Sequence, residues 1–553
     1  MNGVARVASL VALAMVAGAF AVASAATAGS GQAATTLTVC PSGCAFSEIA
    51  PAIAAASPGD KIQLAPGTYS GGFTIDKSLK LQGAGAASTT ISGGGPVVTI
   101  GTFDASTEPT VAISGVTITG GVTHSSFLAV FGDNVLALGG GIEVPPAANF
   151  AEGATVTIAN SVIKDNRAAP LTATDSGQPC PPDITITCIN GDLPLAHAFG
   201  GGIDSWGALT LTNTTVSDNQ VGGPVASAAR GGGIYSEQGS LTLKGSTVTG
   251  NQAIASAPNG RFGEGGGVFA QSGMLTIDGS LISGNSASLT TAMPSPELDV
   301  SADAGGVLIG GDGSCASPSD CVQATIRTST ISGNSVAADN SLGDAVGNGG
   351  GIVNGGSLVL VASLVSTNHI TSTVPAGLTA CACAEAAGIV MAGVQLVSDT
   401  HITGNTAVVS SPNGTAAACC GGGSAANTTT IRDSLISGNQ LTATTSTGSA
   451  NARGAGFGNP FGAIVEIRGS TISDNSGIAN GPSGVAQGGG IFTGTFFGDS
   501  PGQLSLIDSS VTHNALTASP AITVQGGGLF ANGPLTLKGP AISGNVPDQC
   551  FGC

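Results

Sequence analysis

Residues 231–251 read GGGIYSEQGSLTLKGSTVTGN, and this stretch contains the pattern that decides the fold. A glycine run ends in an apolar residue, Ile234, and two short stretches of alternating apolar and polar residues follow before the closing asparagine. Most copies of the phrase follow one another at intervals of 31 to 39 residues, and self-similarity at a fixed period is the sequence signature of a repeat protein. The eleven asparagines that close the copies are Asn166, Asn219, Asn251, Asn285, Asn334, Asn368, Asn405, Asn439, Asn475, Asn514 and Asn545.

Each copy keeps the same register when residues are counted back from its asparagine. An aliphatic residue stands three positions before the asparagine and another stands eight positions before it, as Val248 and Leu243 do before Asn251. Alternation over so few residues is typical of short strands with one buried face. Because one copy cannot bury its apolar face alone, we expect the copies to stack. The aliphatic positions would then form continuous columns, and the asparagines would form a ladder of amide hydrogen bonds.

The Gly-Gly-apolar and x-x-Asn phrases resemble the repeats of right-handed parallel β-helix proteins, the pectin-lyase-like fold. They are similar in particular to the repeats of bacterial polymorphic outer-membrane proteins, and the resemblance covers residues 60 to 553 or so. It implies an all-β, single-domain right-handed parallel β-helix over residues 37–553, with about 11–14 rungs. A short amphipathic helix within residues 46–56, FSEIAPAIAAA, is expected to cap its N-terminal end. This fold carries lyases, hydrolases, esterases, adhesins and inert scaffolds, so the resemblance does not decide the function.

The N-terminal 25 residues have the pattern of a secretory signal. Arg6 is their one charged residue, an apolar run extends from Val7 to Ala23, and Ala23-Ser24-Ala25 suits cleavage. Residues 26–36 are expected to form a flexible start. No other segment has the length and apolarity of a membrane span. The sequence therefore predicts a secreted, extracellular protein, free or associated with a cell surface.

Twelve cysteines behind such a leader predict disulfides formed in an oxidising space. Metal binding by the cysteines is the alternative, but their spacings are not those of zinc sites. Cys381 and Cys383 lie about one repeat before Cys419 and Cys420, so these four cysteines are expected to bridge neighbouring rungs. The expected local pairs are Cys40/Cys44, Cys180/Cys188, Cys315/Cys321 and Cys550/Cys553.

The charge balance narrows the choice of partners. The chain has 14 basic and 32 acidic residues, a net charge of −18. This disfavours nucleic acids, and it disfavours anionic polysaccharides unless Ca²⁺ bridges the two. No other cofactor is expected. The predicted partner is an extracellular polysaccharide or a surface protein, bound by a monomer.

Residues one and three positions after the apolar residue that ends each glycine run are predicted to point outward and to form a candidate site. Adjacent rungs would bring Glu143 and Asp204 to about 5 Å, the carboxyl separation of a retaining glycosidase. One of two such close carboxyls would have a raised pKa and could serve as an acid. Chance surface placement of acids and aromatics is the alternative. The catalytic candidates are Glu143 and Asp204, and the candidate sugar-binding residues are Trp206, Tyr235, Glu237 and Phe269.

Two further sequence features allow a functional interpretation. Asp165 and Asp218 each precede a ladder asparagine, where they could cap turns or hold Ca²⁺ with neighbouring carbonyl groups. Insertions fall mostly between each asparagine and the next glycine run, so they are expected to follow one side of the solenoid and to offer a binding face.

The catalytic motifs of the resembled family are missing from the sequence, which has no Gly-His-Gly, no Asp-Asp pair and no Arg-x-Pro-x-x-Arg. The sequence therefore favours a non-enzymatic secreted β-solenoid that acts in adhesion or carbohydrate binding. The alternative is a polysaccharide-degrading enzyme, a glycoside hydrolase or lyase, that uses Glu143 and Asp204.

Overall fold

Short parallel strands, each paired with its counterpart one repeat earlier and one repeat later, build the whole fold. The structure, a computed structural model, describes residues 34–124, 135–170, 196–294, 300–310, 322–495 and 501–553. The predicted signal peptide and the Cys180/Cys188 and Cys315/Cys321 pairs lie outside these residues. We number the sheets 1 to 5 in the order in which the chain visits them after each glycine run.

Sheets 1 to 3 follow one another directly along each repeat. The strands of sheet 1 are Phe73–Ile75, Val98–Ile100, Ile142–Val144, Ile203–Ser205, Ile234–Ser236, Val268–Ala270, Val307–Ile309, Ile352–Asn354, Ile389–Met391, Gly423–Ala425, Phe457–Asn459, Ile491–Thr493, Leu529–Ala531 and Cys550–Phe551. Those of sheet 2 are Thr36–Val39, Lys61–Leu64, Leu79–Gln82, Thr110–Ser114, Gly153–Ala159, Gly207–Thr212, Ser240–Lys244, Met274–Asp278, Gln323–Arg327, Ser357–Val361, Gln395–Ser398, Thr429–Arg432, Ile464–Arg468, Gln503–Ile507 and Leu535–Lys538. Those of sheet 3 are Gly67–Ser70, Thr89–Ser92, Thr117–Thr119, Val162–Lys164, Thr215–Ser217, Thr247–Thr249, Leu281–Ser283, Thr330–Ser332, Leu364–Ser366, His401–Thr403, Leu435–Ser437, Thr471–Ser473, Ser510–Thr512 and Ala541–Ser543.

Sheets 4 and 5 come from the segments between each ladder asparagine and the next glycine run. The strands of sheet 4 are Val122–Thr123, Arg167–Ala168, Gln220–Gly223, Gln252–Ala255, Ser286–Thr291, Ser335–Asn340, His369–Thr373, Thr406–Ser410, Gln440–Thr444, Ser476–Asn480 and Ala515–Ala518. Those of sheet 5 are Val135–Leu138, Ala196–Phe199, Ala228–Arg230, Phe262–Glu264, Ser301–Asp303, Ala345–Asn348, Cys381–Glu385, Thr415–Cys419, Ser449–Arg453, Ser483–Gln487 and Thr523–Gln525. The fold is thus a right-handed parallel β-helix, as predicted, with more strands in each rung than the repeat phrase contains.

The aliphatic columns of the repeat meet in one main core inside sheets 1, 2 and 3. Val248 pairs with Ile282 and Ile282 with Ile331 on successive rungs of sheet 3, and all three side chains are fully buried. Sheet 1 contributes the apolar residue that ends each glycine run, such as Ile234. The stacking that the sequence predicts is therefore confirmed.

A second core lies between sheets 4 and 5 and consists largely of alanine. Ala198 and Ala229 of sheet 5 and Ala253 and Ala287 of sheet 4 are all fully buried in it. Alanine side chains are short, so two sheets faced with alanine pack closely. The segments that the sequence analysis interpreted as insertions are in large part this ordered second layer, which stands beside sheet 1.

The predicted asparagine ladder is present from Asn166 to Asn545. The Asn285 amide nitrogen donates to Asn334 Oδ1 at 3.0 Å and to the Val248 carbonyl oxygen at 3.0 Å. The Asn285 backbone N–H also donates to Asn334 Oδ1, at 3.1 Å. On the last rung Gln549 Oε1 takes the place of the next asparagine. Each asparagine therefore satisfies buried polar groups on three consecutive rungs.

The N-terminal helix forms residues Ile49–Ala55, within the predicted stretch. Its Ile49, Ala52 and Ile53 are buried in the main core. Residues Thr35–Cys553 form one compact unit. Thr36, which the sequence analysis assigned to a flexible start, begins the first strand of sheet 2. In the described part of the chain, no helix has the length and apolarity needed to cross a membrane.

The disulfides agree with the sequence prediction at the chain ends and contradict it in the middle. Cys40–Cys44 and Cys550–Cys553 are formed as expected. The other four cysteines among the described residues pair within rungs, as Cys381–Cys383 and Cys419–Cys420, and do not bridge neighbouring rungs. The reason is the strand register, which places Cys381 opposite Thr415, Cys383 opposite Ala417 and Cys419 opposite Glu385, so no cysteine has a cysteine directly across from it.

Candidate functional site

A groove runs along the line where the outward face of sheet 1 meets the outward face of sheet 5. On sheet 1 the predicted column is present in register: Glu143 pairs with Asp204, Asp204 with Tyr235, and Tyr235 with Phe269. Sheet 5 contributes the column that directly precedes each glycine corner. Its members along the first rungs are Leu138, Phe199, Arg230, Glu264 and Asp303.

Two cavities of the groove share Asp204 and Trp206. The larger has a volume of about 320 Å³ and is lined by both sheets, with Phe199 and Arg230 among its sheet 5 residues. The smaller, about 30 Å³, lies toward the N-terminal end and includes Glu143. A third cavity of about 390 Å³ continues from Arg230 toward the C-terminal end. The groove therefore offers a series of connected spaces, and Asp204 lies near one end of it.

Asp204 is fully buried, and both of its carboxyl oxygens lack a hydrogen-bond partner among the described residues. Burial raises the pKa of Asp204 well above its usual value, and the neighbouring carboxyls of Glu143 and Glu237 raise it further. Burial also raises the pKa of Glu143, which is 7% exposed, to about 7. At neutral pH the pair therefore holds one protonated acid and one carboxyl that loses its proton easily.

The predicted exposure of this column is wrong, although its order along the rungs is right. Asp204, Tyr235 and Phe269 are 0%, 4% and 1% exposed, and Glu143 is buried as well. Sheet 5 covers them, and Tyr235 and Phe269 pack in a cluster with Phe199. The prediction that these side chains point away from the main core is correct. They face the second layer of sheets and not the solvent.

Of the predicted sugar-binding residues, Trp206 and Glu237 remain half-exposed in the groove. Trp206 lines both cavities beside Asp204. The Tyr235 hydroxyl donates a hydrogen bond to Glu237 Oε2. Burial raises the pKa of Glu237, while the Tyr235 hydroxyl and Arg230 act against the rise. Tyr235 is thus a positioning residue for a groove carboxyl, in addition to a wall of the cavity.

Arg230 is a groove residue that the sequence analysis missed. Its Nε lies 2.5 Å from Glu264 Oε2, and its guanidinium stands 5.5 Å from the Phe262 ring centroid and 5.7 Å from the Phe269 centroid. The ion pair and the two rings fix the guanidinium at the boundary between two cavities. Since Glu264 already neutralises it, Arg230 does not make the groove basic.

His197 also lines the large cavity and was not singled out from the sequence. Burial, Arg230 and Arg261 together lower the pKa of His197 to about 4, so its imidazole is neutral at physiological pH. A neutral imidazole offers one donor and one acceptor to a bound hydroxyl group. The sequence did contain a signal for both residues. Arg230 lies one position before a glycine run and His197 lies three positions before another, which are alternate positions of a short strand.

Asp165 and Asp218 lie away from the groove, in the corner that precedes the ladder asparagines. Their φ angles are +53° and +55°, and most other rungs have glycine at this left-handed position. Aspartate adopts this conformation at lower cost than most residues, because its short side chain bonds locally. Within the described residues no group of three or more His, Cys, Asp or Glu side chains could hold a metal ion. The left-handed backbone at both positions fits the turn-capping interpretation.

The raised pKa of Glu143 predicts that ionisation of this group destabilises the fold. Its stabilising contribution is complete below the unfolded value of 4.5 and is lost as the pH rises to about 7. A shift of this size corresponds to about 3 kcal/mol. We therefore expect Glu143→Gln to gain about 3 kcal/mol over wild type between pH 4.5 and pH 8 in denaturant unfolding. Glu466→Gln, at a half-exposed carboxyl on sheet 2, is the matched control, and an equal pH slope for wild type and Glu143→Gln would contradict this account.

No protein-family model and no curated protein matches the chain. Among solved structures, the A-module of mannuronan C-5 epimerase AlgE6 from Azotobacter vinelandii is similar over 89% of this chain and 92% of its own, with 13% identity and a TM-score of 0.35. The AlgE4 A-module of the same organism is similar over 89% and 93%, with 14% identity and a TM-score of 0.34. A PL6 family alginate lyase, AlyGC, has 10% identity and a TM-score of 0.14 over 90% and 88% of the two chains. Such TM-scores carry no argument about the function of this chain.

Proposed function

We propose that this protein is a polysaccharide hydrolase that holds an uncharged sugar chain in the groove between sheets 1 and 5. The observation that carries the proposal is the carboxyl group of Asp204. It is fully buried, lines two cavities and has no hydrogen-bond partner among the described residues. A buried polar group without a partner destabilises a protein, so its presence at the wall of a cavity favours a role toward a ligand.

We propose different catalytic roles for the two carboxyls. Glu143 and Asp204 face each other across parallel strands, whose spacing of about 4.8 Å suits a retaining mechanism. Asp204 stays protonated at neutral pH and would donate its proton to the leaving glycosidic oxygen. Ionised Glu143 would attack the sugar carbon and form a covalent intermediate. Water would then attack that carbon and give a proton to ionised Asp204. The bond between the sugar carbon and Glu143 breaks in this step, and Glu143 leaves as a carboxylate.

The charges of the groove favour an uncharged polysaccharide. Carboxyl groups of Glu143, Asp204, Glu237 and Asp303 line it, whereas Arg230 is neutralised by Glu264. A polyuronate carboxylate would lose hydration in the groove without gaining an opposite charge, because Arg230 is already paired, and this loss costs binding energy. Neutral sugar rings can instead pack their C–H faces on Trp206 and donate hydroxyl hydrogens to carboxyls.

The proposal is tested by product release from a polysaccharide panel. Neutral glucans, xylans and mannans should yield new reducing ends, and polyuronates should yield none. Glu466→Gln should behave as wild type. Loss of activity in Glu466→Gln, or release of unsaturated products from polyuronates only, would contradict the assignment.

The pH dependence of turnover follows from the same two groups. We expect kcat/KM to rise with pH through about 7 as Glu143 ionises, and to fall at higher pH as Asp204 loses its proton. The two apparent values belong to the coupled pair, so neither limb reports one residue alone. A profile that only falls between pH 5 and pH 8 would show that ionised Glu143 is not required.

Carbohydrate binding without turnover is the second candidate, and the full burial of Asp204 favours it. No solvent reaches this carboxyl, so a sugar chain must displace neighbouring side chains before it can receive the proton. Measurable binding of neutral polysaccharides without new reducing ends would select this candidate. Either activity is proposed to take place outside the cytosol, and the disulfides support that location.

A further inference from the structure

The rung that contains Cys419 and Cys420 departs from the glycine pattern of the repeat at the corner before sheet 1. Cys420 has a φ angle of +68° and occupies the left-handed corner between sheet 5 and sheet 1. A side chain in this conformation costs roughly 1–2 kcal/mol, so an exception to glycine needs a reason. The other described rungs with a left-handed residue at this corner have Gly139, Gly200, Gly231, Gly265, Ala304, Gly349, Ala386, Gly454, Gly488 or Gly526. Ala304 and Ala386 are the other two residues with a side chain, and both are smaller than cysteine.

The next rung compensates for this cysteine. Gly458 occupies the sheet 1 column in which its neighbours on either side are Ser424 and Phe492. A Cβ atom at Gly458 would clash with Sγ and Cβ of Cys420. The bonded pair Cys419–Cys420 thus takes the space that a column side chain would otherwise fill. Two departures from the repeat fit each other and place a disulfide at the wall of the groove.

A cavity of about 350 Å³ lies beside this disulfide, and we name it the disulfide pocket. Its lining includes Cys381, Cys383, Cys419, Phe461, Asn348 and two carboxyl residues, Glu385 and Asp344. Asp344 Oδ1 accepts a hydrogen bond from the Cys381 backbone N–H at 2.7 Å. Asn348 donates to Asp303 Oδ1 at 2.8 Å, and Asp303 lines the preceding 390 Å³ cavity. The disulfide pocket therefore continues the groove that begins at Asp204.

The chemistry of the disulfide pocket is that of a sugar subsite. The sulfur atoms and the Phe461 ring give apolar, polarisable surfaces of the kind on which the C–H face of a sugar packs. Glu385 accepts a hydrogen bond from Ser424 Oγ at 2.6 Å and keeps acceptor capacity for a ligand hydroxyl. Burial raises the pKa of Glu385, which lessens the charge that the pocket presents.

The distance from Asp204 determines the kind of ligand. Five rung steps separate Asp204 from Val390, the column residue of the rung that holds Glu385, so the two sites are about 24 Å apart. We propose that the disulfide pocket binds a sugar unit of the same uncharged chain, several units away from the unit at Asp204. This inference rests on the proposed function and adds to it that the substrate is a long chain.

The first test compares chain lengths. Cello-, xylo- and mannohexaose, with the corresponding disaccharides, serve as probes in calorimetric binding. We expect Glu385→Gln and Phe461→Ala each to weaken hexaose binding about tenfold or more and to leave disaccharide binding unchanged. Glu466→Gln is the matched control. Equal hexaose affinity in wild type and in both variants would overturn the proposal.

The second test reads the disulfide pocket in the wild-type protein and does not depend on variants or turnover. A hexaose at about ten times its Kd should slow the reduction of Cys381–Cys383 by dithiothreitol about tenfold. Cys40–Cys44 lies outside the groove and should be reduced at an unchanged rate, as alkylation and mass spectrometry would show. Protection without turnover would uphold the pocket and remove the hydrolase proposal. Turnover without protection would overturn the pocket and leave the hydrolase proposal standing.

Discussion

Replacing Asp204 with asparagine is expected to lower kcat on a neutral polysaccharide by about 10² to 10⁴-fold, the usual contribution of a general acid. The same variant is expected to melt at a higher temperature than wild type at pH 7. At pH 7 Asp204 is ionised in the unfolded chain and protonated in the folded protein. Folding at this pH therefore requires the uptake of a proton, which lowers the free energy of unfolding. Asparagine has nearly the same shape and does not incur that cost.

The opposite signs of these two effects separate a functional carboxyl from a structural one. The gain in melting temperature should shrink as the pH falls toward the unfolded value of 3.8 and disappear below it, where Asp204 is protonated in both states. Asp433→Asn, at an exposed left-handed corner, is the matched control and should change neither quantity. A variant that loses stability at pH 7 would show that the carboxylate has a structural partner. A variant that keeps full activity would remove Asp204 from the mechanism.

The prediction of sheets 1, 2 and 3 from the sequence succeeded because each copy of the repeat contains the evidence for its own strands. Every copy has aliphatic residues three and eight positions before its asparagine, as Val248 and Leu243 stand before Asn251. The side chains of alternate residues in a strand must face the same way. The ladder followed from the same register. Both features depend on local spacing and on stacking, and neither needs knowledge of distant contacts.

Sheets 4 and 5 were not predicted, because the signal for them is weak in any one copy. Their segments vary in length, and their inward residues are mostly alanine, as at Ala229 and Ala253. Alanine buries little area, so alternation with serine or threonine does not stand out as an amphipathic strand. These strands are stabilised by pairing with the neighbouring rungs. That pairing cannot be inferred from the sequence of one copy alone.

The candidate site shows the same limit. The order Glu143, Asp204, Tyr235 and Phe269 along neighbouring rungs is correct. One of the two carboxyls was expected to have a raised pKa because of the other, whereas burial is the main cause of the raised pKa at Asp204 and raises that of Glu143 as well. Their burial depends on the second layer and was therefore missed. Arg230 was missed for the same reason, because it projects from sheet 5 into the groove.

Substitution of a central ladder residue, Asn334→Ala, is expected to destabilise the protein by about 3 kcal/mol or more. Asn334 Oδ1 accepts the Asn285 backbone N–H at 3.1 Å and the Asn285 amide nitrogen at 3.0 Å, and its own amide donates to the Ile282 carbonyl oxygen at 3.0 Å. Alanine removes these three hydrogen bonds, so the buried Asn285 backbone N–H and the Ile282 carbonyl oxygen each lose a partner, while the Asn285 amide keeps its bond to the Val248 carbonyl oxygen. Each such group costs about 1–3 kcal/mol, and urea unfolding measures the sum.

Two controls show whether the loss comes from the ladder and not from mutation of the repeat in general. Thr325→Ala, on the half-exposed face of sheet 2, is expected to change stability by about 0.5 kcal/mol or less. Asn545→Ala is expected to cost less than Asn334→Ala, because Asn545 closes the ladder, is 4% exposed and has the exposed Gln549 on its outer side in place of a further buried asparagine. Because each rung contacts only its neighbours, hydrogen exchange in Asn334→Ala should rise first in the adjacent rungs at Asn285 and Asn368. Equal costs at Asn334 and Asn545 would show that the amide ladder contributes no more in the interior of the solenoid than at its end.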